Sequence, residues 1–205
     1  MKGLTAISLI SGGIDSPVAV YLMMEKEVNI IALHLDTRPF SDGTNLEKTE
    51  KVLKALEKRF KKKIPLHVIS HAKIQKEIAA KCDKHLRCVL CRRMMYRIAA
   101  QLAAKENADF IVTGEAIGQK ASQTLENIYV IDKAIELPIL RPLLGYDKED
   151  IIKIAKDINT FETTATRGGC CSLVPEQPST RATLERVEEE EKKLDIEKML
   201  KDINV

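Results

Sequence analysis

Tryptophan is absent from this chain, and aromatic residues make up only 4% of it. An aromatic stacking platform, the usual means of gripping single-stranded RNA, is therefore hard to build here. No apolar run approaches the length of a membrane span, and no secretory segment opens the chain, where Met1-Lys2-Gly3 leads straight into an apolar stretch. These two absences give the expectation of a cytoplasmic protein with no membrane partner. No strong charge excess is present either. The formal net charge is +3, which permits an RNA partner without demanding one. Internal repeats and low-complexity tracts are also missing. With 205 residues, 44% hydrophobic and 31% charged, the chain fits one sizeable domain, or one domain with an appendage, and can bury a real core.

What is there alternates. Leu4 to Ile10 is an apolar run of strand length, followed by helix from about Ser16 to Lys26 and a strand from Asn29 to Leu35. A helix over Asn45 to Lys63 carries Val52, Leu53, Leu56 and Phe60 at helical spacing. Its Lys61-Lys62-Lys63 end suits the helix dipole and reads first as a solvated terminus, with a phosphate-tracking patch as the alternative. A strand over Pro65 to Ser70, a helix over Ala72 to Lys81, a helix over Arg92 to Asn107 and a strand over Asp109 to Thr113 follow. Ile128 to Ile131 reads as a short strand, and Leu137 to Leu140 as another extended stretch. Asp147 to Asp157 is a helix with Asp147 at its N-cap, Asn159 to Pro178 a loop, and Ser179 to Ile203 a single charged helix whose Glu188 to Lys193 run is a solvated face. The expected organisation is a domain over 1–178 with a charged C-terminal helix over 179–205. Strand–helix alternation predicts an α/β fold, a Rossmann-like parallel sheet with helices on both faces. Ligands of such sheets sit beyond the carboxyl ends of the strands. That rule selects the turn after the first strand, His34-Leu35 closing the second, and Gly114 closing the fourth.

The turn after the first strand is Ser11-Gly12-Gly13-Ile14-Asp15-Ser16, with Pro17 early in the helix that follows. Backbone N–H groups and a helix N-terminus make such a turn an anion site, and the glycines allow close approach of a phosphate. No lysine lies in it, so it is not the Gly-Lys-Ser/Thr phosphate loop, and the third glycine of the dinucleotide fingerprint is missing. Ser-Gly-Gly-x-Asp-Ser is instead the PP-loop signature, found in enzymes that split ATP between the α and β phosphates and adenylate an oxygen of the substrate.

Four stretches then make the chain resemble the PP-loop domain of the tRNA 4-thiouridine synthetase family: Ser11 to Ala19, Arg92 to Ala99, Thr113 to Asn127, and Arg141 to Ile151. Thr160 to Thr163 and Cys170-Cys171-Ser172 fit as well. The family's fuller members add N-terminal RNA-binding parts, including the THUMP module, and some bacterial members a rhodanese domain; neither pattern is read in these residues. The resemblance implies ATP-dependent adenylation of a uracil carbonyl in tRNA, then sulfur transfer giving 4-thiouridine with release of AMP and pyrophosphate. Backbone amides, Mg²⁺ and a cation are expected around the transferring phosphates. By position, Leu9 and Ile10 line the adenosine side. Ser11, Gly12, Gly13 and Ser16 hold the pyrophosphate. Asp15 serves Mg²⁺ or the attacking oxygen, its alternative being an ordinary capping residue. His34 and Leu35 touch adenine or ribose, though a lone histidine after a strand is more often a satisfied structural residue. Arg92, Gly114 and Gln123 match nucleotide-contact positions, while Arg93 beside them reads equally as a salt-bridged helix residue. Lys148 matches a lysine used in activation.

Five cysteines in a cytosolic type of chain argue against structural disulfides. Cys88 and Cys91 are spaced to share a metal or to form a redox pair. The resemblance to archaeal-type members implies an iron–sulfur cluster on Cys88, Cys91 and one later cysteine, taken as Cys170 because it leads the Cys-Ser turn; Cys170 is also the catalytic candidate. Three thiolates leave one iron open for a sulfur donor. A four-thiolate zinc site using Cys171 as well, and inert buried cysteines, are the competing readings. Expected partners are tRNA, a separate THUMP-type RNA-binding protein or domain, a sulfur donor and a second copy in a homodimer. Two other functions stay open: a PP-loop sulfurtransferase acting on a small metabolite, and a nucleotide- and cluster-binding subunit of a larger modification complex.

Overall fold

The structure is a computed structural model that describes residues 3–166 and 171–203. Its centre is a sheet of five parallel strands in the order β3-β2-β1-β4-β5. The strands are β1 (Thr5–Leu9), β2 (Asn29–Asp36), β3 (Leu66–Ser70), β4 (Phe110–Val112) and β5 (Ile139–Leu140). Every pairing is parallel, with Ile7 opposite both Ile31 and Ile111. The expected α/β architecture is thus the one observed.

Side chains alternate along a strand, so each strand here feeds two cores. Ala6, Ile30, Ala32, Phe110 and Val112 face one layer, formed by α1 (Asp15–Met24), α2 (Thr44–Phe60) and α6 (Lys148–Asp157). Ile7, Leu33 and Ile111 face the other, formed by α3 (Ala72–Lys81), α4 (Arg87–Glu106) and α5 (Leu125–Asp132). Helices on both faces explain why the strands read as continuous apolar runs rather than as alternating ones. The chain runs outward from β1 through β2 to β3, then returns to the opposite side of β1 to place β4 and β5. That reversal opens a crevice between the carboxyl ends of β1 and β4.

Five local expectations are corrected. Ile128 to Ile131 is helical within α5, because Thr124 caps the helix by accepting the Asn127 N–H and the apolar residues then fall at helical spacing against α4. The α4 helix begins at Arg87 rather than Arg92. No Gly or Pro interrupts Arg87 to Arg92, and Val89 and Leu90 are as buried as Met94 and Ile98, so Cys88-Val89-Leu90-Cys91 forms its first turn. The 159–178 loop includes a short helix, α7 (Phe161–Thr164). The charged C-terminal stretch is two helices, α8 (Leu184–Glu191) and α9 (Ile196–Lys201), since Leu194 turns inward and Asp195 caps the second helix by accepting the Lys198 N–H. Nor is its acidic run wholly solvated. Glu191 is buried and accepts both Arg93 (2.8 Å, twice) and Arg97 (2.5 and 2.9 Å). Arg93 is accordingly a structural, salt-bridged residue. At the end of α2, Lys62 contacts Asn29 and Lys63 pairs with Glu57, in keeping with a helix terminus.

Candidate active site

The PP-loop turn is tied to itself. The Ser11 N–H donates to Ser16 Oγ at 2.9 Å, Ser16 Oγ donates back to the Ser11 carbonyl at 3.0 Å, and the Gly13 N–H reaches Ser11 Oγ at 3.3 Å. Glycine is needed at two places for space. A Cβ on Gly12 would lie 2.6 Å from Asn45 Oδ1 and 2.9 Å from its Cα, because the start of α2 packs on the turn. A Cβ on Gly114 would lie 2.7 Å from both Ser16 N and Ser16 Cα. The end of β4 therefore abuts the start of α1, backbone against backbone.

A cavity of about 360 Å³ opens above these strand ends, at the small end of the range of small-molecule sites. Leu9, Ile10, Ser11, Gly13, Asp15 and Ser16 line it from the first turn, His34 and Leu35 from the second strand, and Arg92, Gly114 and Gln123 from α4 and the segment after β4. Gly12 does not line it; its role is the packing against Asn45. Lys148 stands outside the lining but reaches it, its Nζ donating to Asp15 Oδ1 at 2.5 Å and to Gln119 Oε1 at 3.2 Å. Lys148 thus sits at the first turn of α6 facing the first turn of α1. Asp147 occupies the N-cap position there without a side-chain cap bond.

His34 is held from behind. Its Nδ1 lies 3.1 Å from the Ile10 carbonyl and 3.2 Å from Thr49 Oγ1. The carbonyl can only accept, so Nδ1 carries the hydrogen and Nε2 is the unprotonated acceptor. Burial lowers the pKa of the ring and keeps it neutral. The histidine is therefore both a satisfied structural group and part of the cavity wall.

Glu115 was not foreseen, although it stands within the Thr113 to Asn127 stretch. Its carboxylate is buried and accepts Tyr96 Oη (2.6 Å), Thr113 Oγ1 (3.0 Å) and Arg141 Nε (2.7 Å), and pairs with Arg92 Nη2 at 3.3 Å. Burial pushes the carboxyl up, but Arg92 and Arg141 together outweigh it and hold it at about 2. Glu115 thereby fixes Arg92 against the cavity and balances its charge. Gln123 is buried, and its Oε1 has no hydrogen-bond partner in the protein. A buried, unpartnered acceptor on a residue of the cavity wall is a polar group whose partner is not supplied by the protein.

Cys88, Cys91 and Cys171 also line the cavity. Gln75 Nε2 reaches Cys171 Sγ at 3.5 Å and Cys91 Sγ at 3.9 Å, and His71 Nε2 lies 3.2 Å from Cys91 Sγ. Burial pushes the Cys91 thiol up to about 12, with Cys171 and Cys88 adding to the shift; burial, then Cys171, raises Cys88 too. Cys170, the expected third ligand, lies outside the described residues. Among the described residues no group of three or more His, Cys, Asp or Glu side chains is arranged to hold a metal ion. Cys82 stands apart, buried behind α3 with its thiol against the Glu190 carbonyl. Neither His71 nor Gln75 carries a sequence signal beyond being two polar residues four apart on an otherwise apolar helix face. Among the described residues no helix is long and apolar enough to cross a membrane.

Residues 3–196 match the family model described as "Thiamine biosynthesis protein (ThiI)". The chain belongs to the ThiI family. Among its relatives, the "Probable tRNA sulfurtransferase" of Caldanaerobacter subterraneus subsp. tengcongensis is 39% identical over 197 residues, 95% of this chain and 52% of that one. A crystal structure of a 4-thiouridine synthetase–RNA complex with bound ATP is 34% identical and superposes with a TM-score of 0.91 over 98% of this chain and 53% of that one. The U34-tRNA thiolase NcsA from Methanococcus maripaludis, solved with its [4Fe-4S] cluster, shares the fold at 17% identity and a TM-score of 0.54, over 99% and 74% of the two chains. The ThiI-family chain described here spans about half the length of the curated relatives it matches.

Proposed function

We propose that this chain is the ATP-using, sulfur-transferring part of a tRNA uracil 4-sulfurtransferase. The observation that carries the reading is that one cavity is lined by both the Ser11–Ser16 turn and three thiols, Cys88, Cys91 and Cys171. Activation and sulfur transfer need to occur at the same carbon, so the two sets of groups need a common space. Binding of ATP by a 34%-identical solved relative supports the nucleotide half. Gly114 and Gln123, both in the cavity wall beside the turn, stand where an adenine nucleotide held by the turn would reach.

Uracil O4 attacks the α-phosphorus of ATP, the bond from that phosphorus to the bridging oxygen breaks, and pyrophosphate leaves. A sulfur nucleophile then adds at C4, the C4–O bond breaks, and AMP carries away the former carbonyl oxygen. The backbone N–H groups of the turn bind the departing pyrophosphate. Lys148 moves from Asp15 to the charge building on the phosphates, which frees Asp15 for Mg²⁺ or for orienting O4. Arg92, steadied by Glu115, supplies a second cation. Thiolates are soft donors, and Cys88, Cys91 and a third thiol from the 170–171 pair are the residues that would hold an iron–sulfur cluster, with zinc the lesser possibility; the described thiols would have to draw closer together than they stand here to do so. Cys170 is the third ligand in this reading, with Cys171, which lines the cavity, as its alternative. Such a cluster would offer an open iron to a sulfur donor. In this reading tRNA is presented by a THUMP-type module, the assembly is a homodimer, and the reaction is cytoplasmic.

The test is anaerobic incubation with Mg²⁺-ATP, sulfide and bulk tRNA, following AMP, pyrophosphate and the near-ultraviolet absorbance of thiolated uridine. AMP formation dependent on tRNA, with thiouridine appearing, is expected. AMP formed equally without tRNA would move the substrate to a small metabolite.

A further inference from the structure

His71 and Gln75 are two buried polar residues whose side chains the reading above leaves without a role. His71 is fully buried at the end of β3, where its backbone N–H donates to the Asp36 carbonyl at 2.7 Å. It precedes α3, and its carbonyl accepts the Gln75 N–H at 3.0 Å, so the two side chains stand one turn apart on one face. Both aim at sulfur. Gln75 lines the cavity, while His71 lies behind Cys91. Each also has one buried atom, His71 Nδ1 and Gln75 Oε1, without a hydrogen-bond partner. Evolution of a core would replace such residues with apolar ones unless the other end of each side chain were needed, because an unpartnered buried polar atom is costly. Whichever ring nitrogen carries the hydrogen, Nδ1 stays unpaired. An unpaired acceptor is tolerated better than an unpaired N–H, so the hydrogen belongs on Nε2 and points at Cys91 Sγ.

We propose that His71 and Gln75 are positioning residues that donate N–H groups to Cys91 and Cys171 and hold these two sulfurs together in the cavity wall. Their α4 and 171–173 backbones come from distant parts of the chain, and at the start of α3 they acquire a common tether. The consequence for sulfur transfer rests on the proposed function, since it matters only if these thiols hold or deliver sulfur there. The tethering itself does not depend on it.

The experiment measures tethering without metal, ATP or tRNA. In full-length chain carrying Cys88→Ser and Cys170→Ser, dibromobimane becomes fluorescent only when it bridges two close thiols, and peptide mapping identifies the pair. A Cys91–Cys171 bridge is expected. With Gln75→Leu and His71→Leu combined, its initial rate should fall about tenfold, the effect of losing two ordinary hydrogen bonds. His71→Gln, which keeps an N–H near the Nε2 position, should restore part of the rate when combined with Gln75→Leu in place of His71→Leu. Thermal melting checks that each variant is folded, and Gln75→Leu alone serves if the double variant is not. Absence of the bridge before any His71 or Gln75 change, or an undiminished rate in a folded Leu variant, would overturn the proposal. Neither result bears on whether the chain thiolates tRNA, which the product assay decides separately.

Discussion

Among the described glycines, Gly114 is the one whose replacement by alanine should damage this protein most. The added Cβ would sit 2.7 Å from Ser16 N and Cα and 2.8 Å from the Asp15 carbonyl carbon, about 0.7 Å inside the 3.4 Å where ordinary contact begins. All three neighbours are backbone, so no side chain can swing aside. Either the end of β4 or the first turn of α1 has to move, and α1 carries the Ser11–Ser16 hydrogen bonds with it. Overpacking of this kind costs about 1–3 kcal/mol, or roughly 2–12 °C in melting temperature for a domain of this size. Displacing the turn by a comparable distance should lower ATP turnover by roughly 10–100-fold, since about 1 Å of misplacement costs on the order of 100-fold. Gly145→Ala is the matched control, because its Cβ would meet nothing within 4 Å. Melting curves and AMP release from the two variants, measured side by side, decide the matter. If Gly114→Ala melts and turns over like Gly145→Ala, the close approach of β4 to the turn has been misread.

Three further outcomes follow from the site and its supports. Glu115 and Glu191 are both held at about 2 when folded, so the stability they add is present above the usual carboxylate pKa and is lost as pH falls from about 4.5 towards 2; denaturant unfolding over that window should show a drop of up to roughly 3 kcal/mol for each, and Glu191→Ala, which strands Arg93 and Arg97, should cost about 3–5 kcal/mol at neutral pH. Lys148→Ala removes a half-exposed ion pair with Asp15 and should change stability by less than about 1 kcal/mol, yet lower the rate of pyrophosphate release by about 100-fold or more; equal loss of stability and rate would argue for a structural lysine. Gln123→Leu removes an unpartnered buried acceptor, so the melting temperature should hold or rise while ATP affinity, measured by calorimetry, falls about tenfold; unchanged affinity would place the nucleotide elsewhere.

The sheet and the strand-end turn were legible because each rests on local chemistry. Apolar runs bounded by turn residues set the strands, and Ser11-Gly12-Gly13 has few conformations open to it. Gly114 was found by its place at a strand end, but its reason, the backbone of Ser16 packed against it, is a long-range contact that no window of sequence contains. Ile128 to Ile131 misled for the opposite reason. Four apolar residues suit a strand or a buried helix equally, and the cap at Thr124 with packing on α4 decides between them. The acidic run ending at Glu191 read as solvated because its two arginine partners lie almost a hundred positions earlier. Glu115, His71 and Gln75 escaped for the same cause: each is defined by what burial brings to it, and burial of a polar side chain is not written in its neighbours along the chain.

The measurement that goes most directly to adenylation of the uracil oxygen uses tRNA whose uracil O4 carries ¹⁸O. In a single turnover with Mg²⁺-ATP and a sulfur donor, the label should appear in AMP, with one ¹⁸O for each thiouridine formed and none in pyrophosphate. Thiouridine formed alongside unlabelled AMP would contradict attack by O4 on the α-phosphorus, and with it the roles given to the Ser11–Ser16 turn, Asp15 and Lys148.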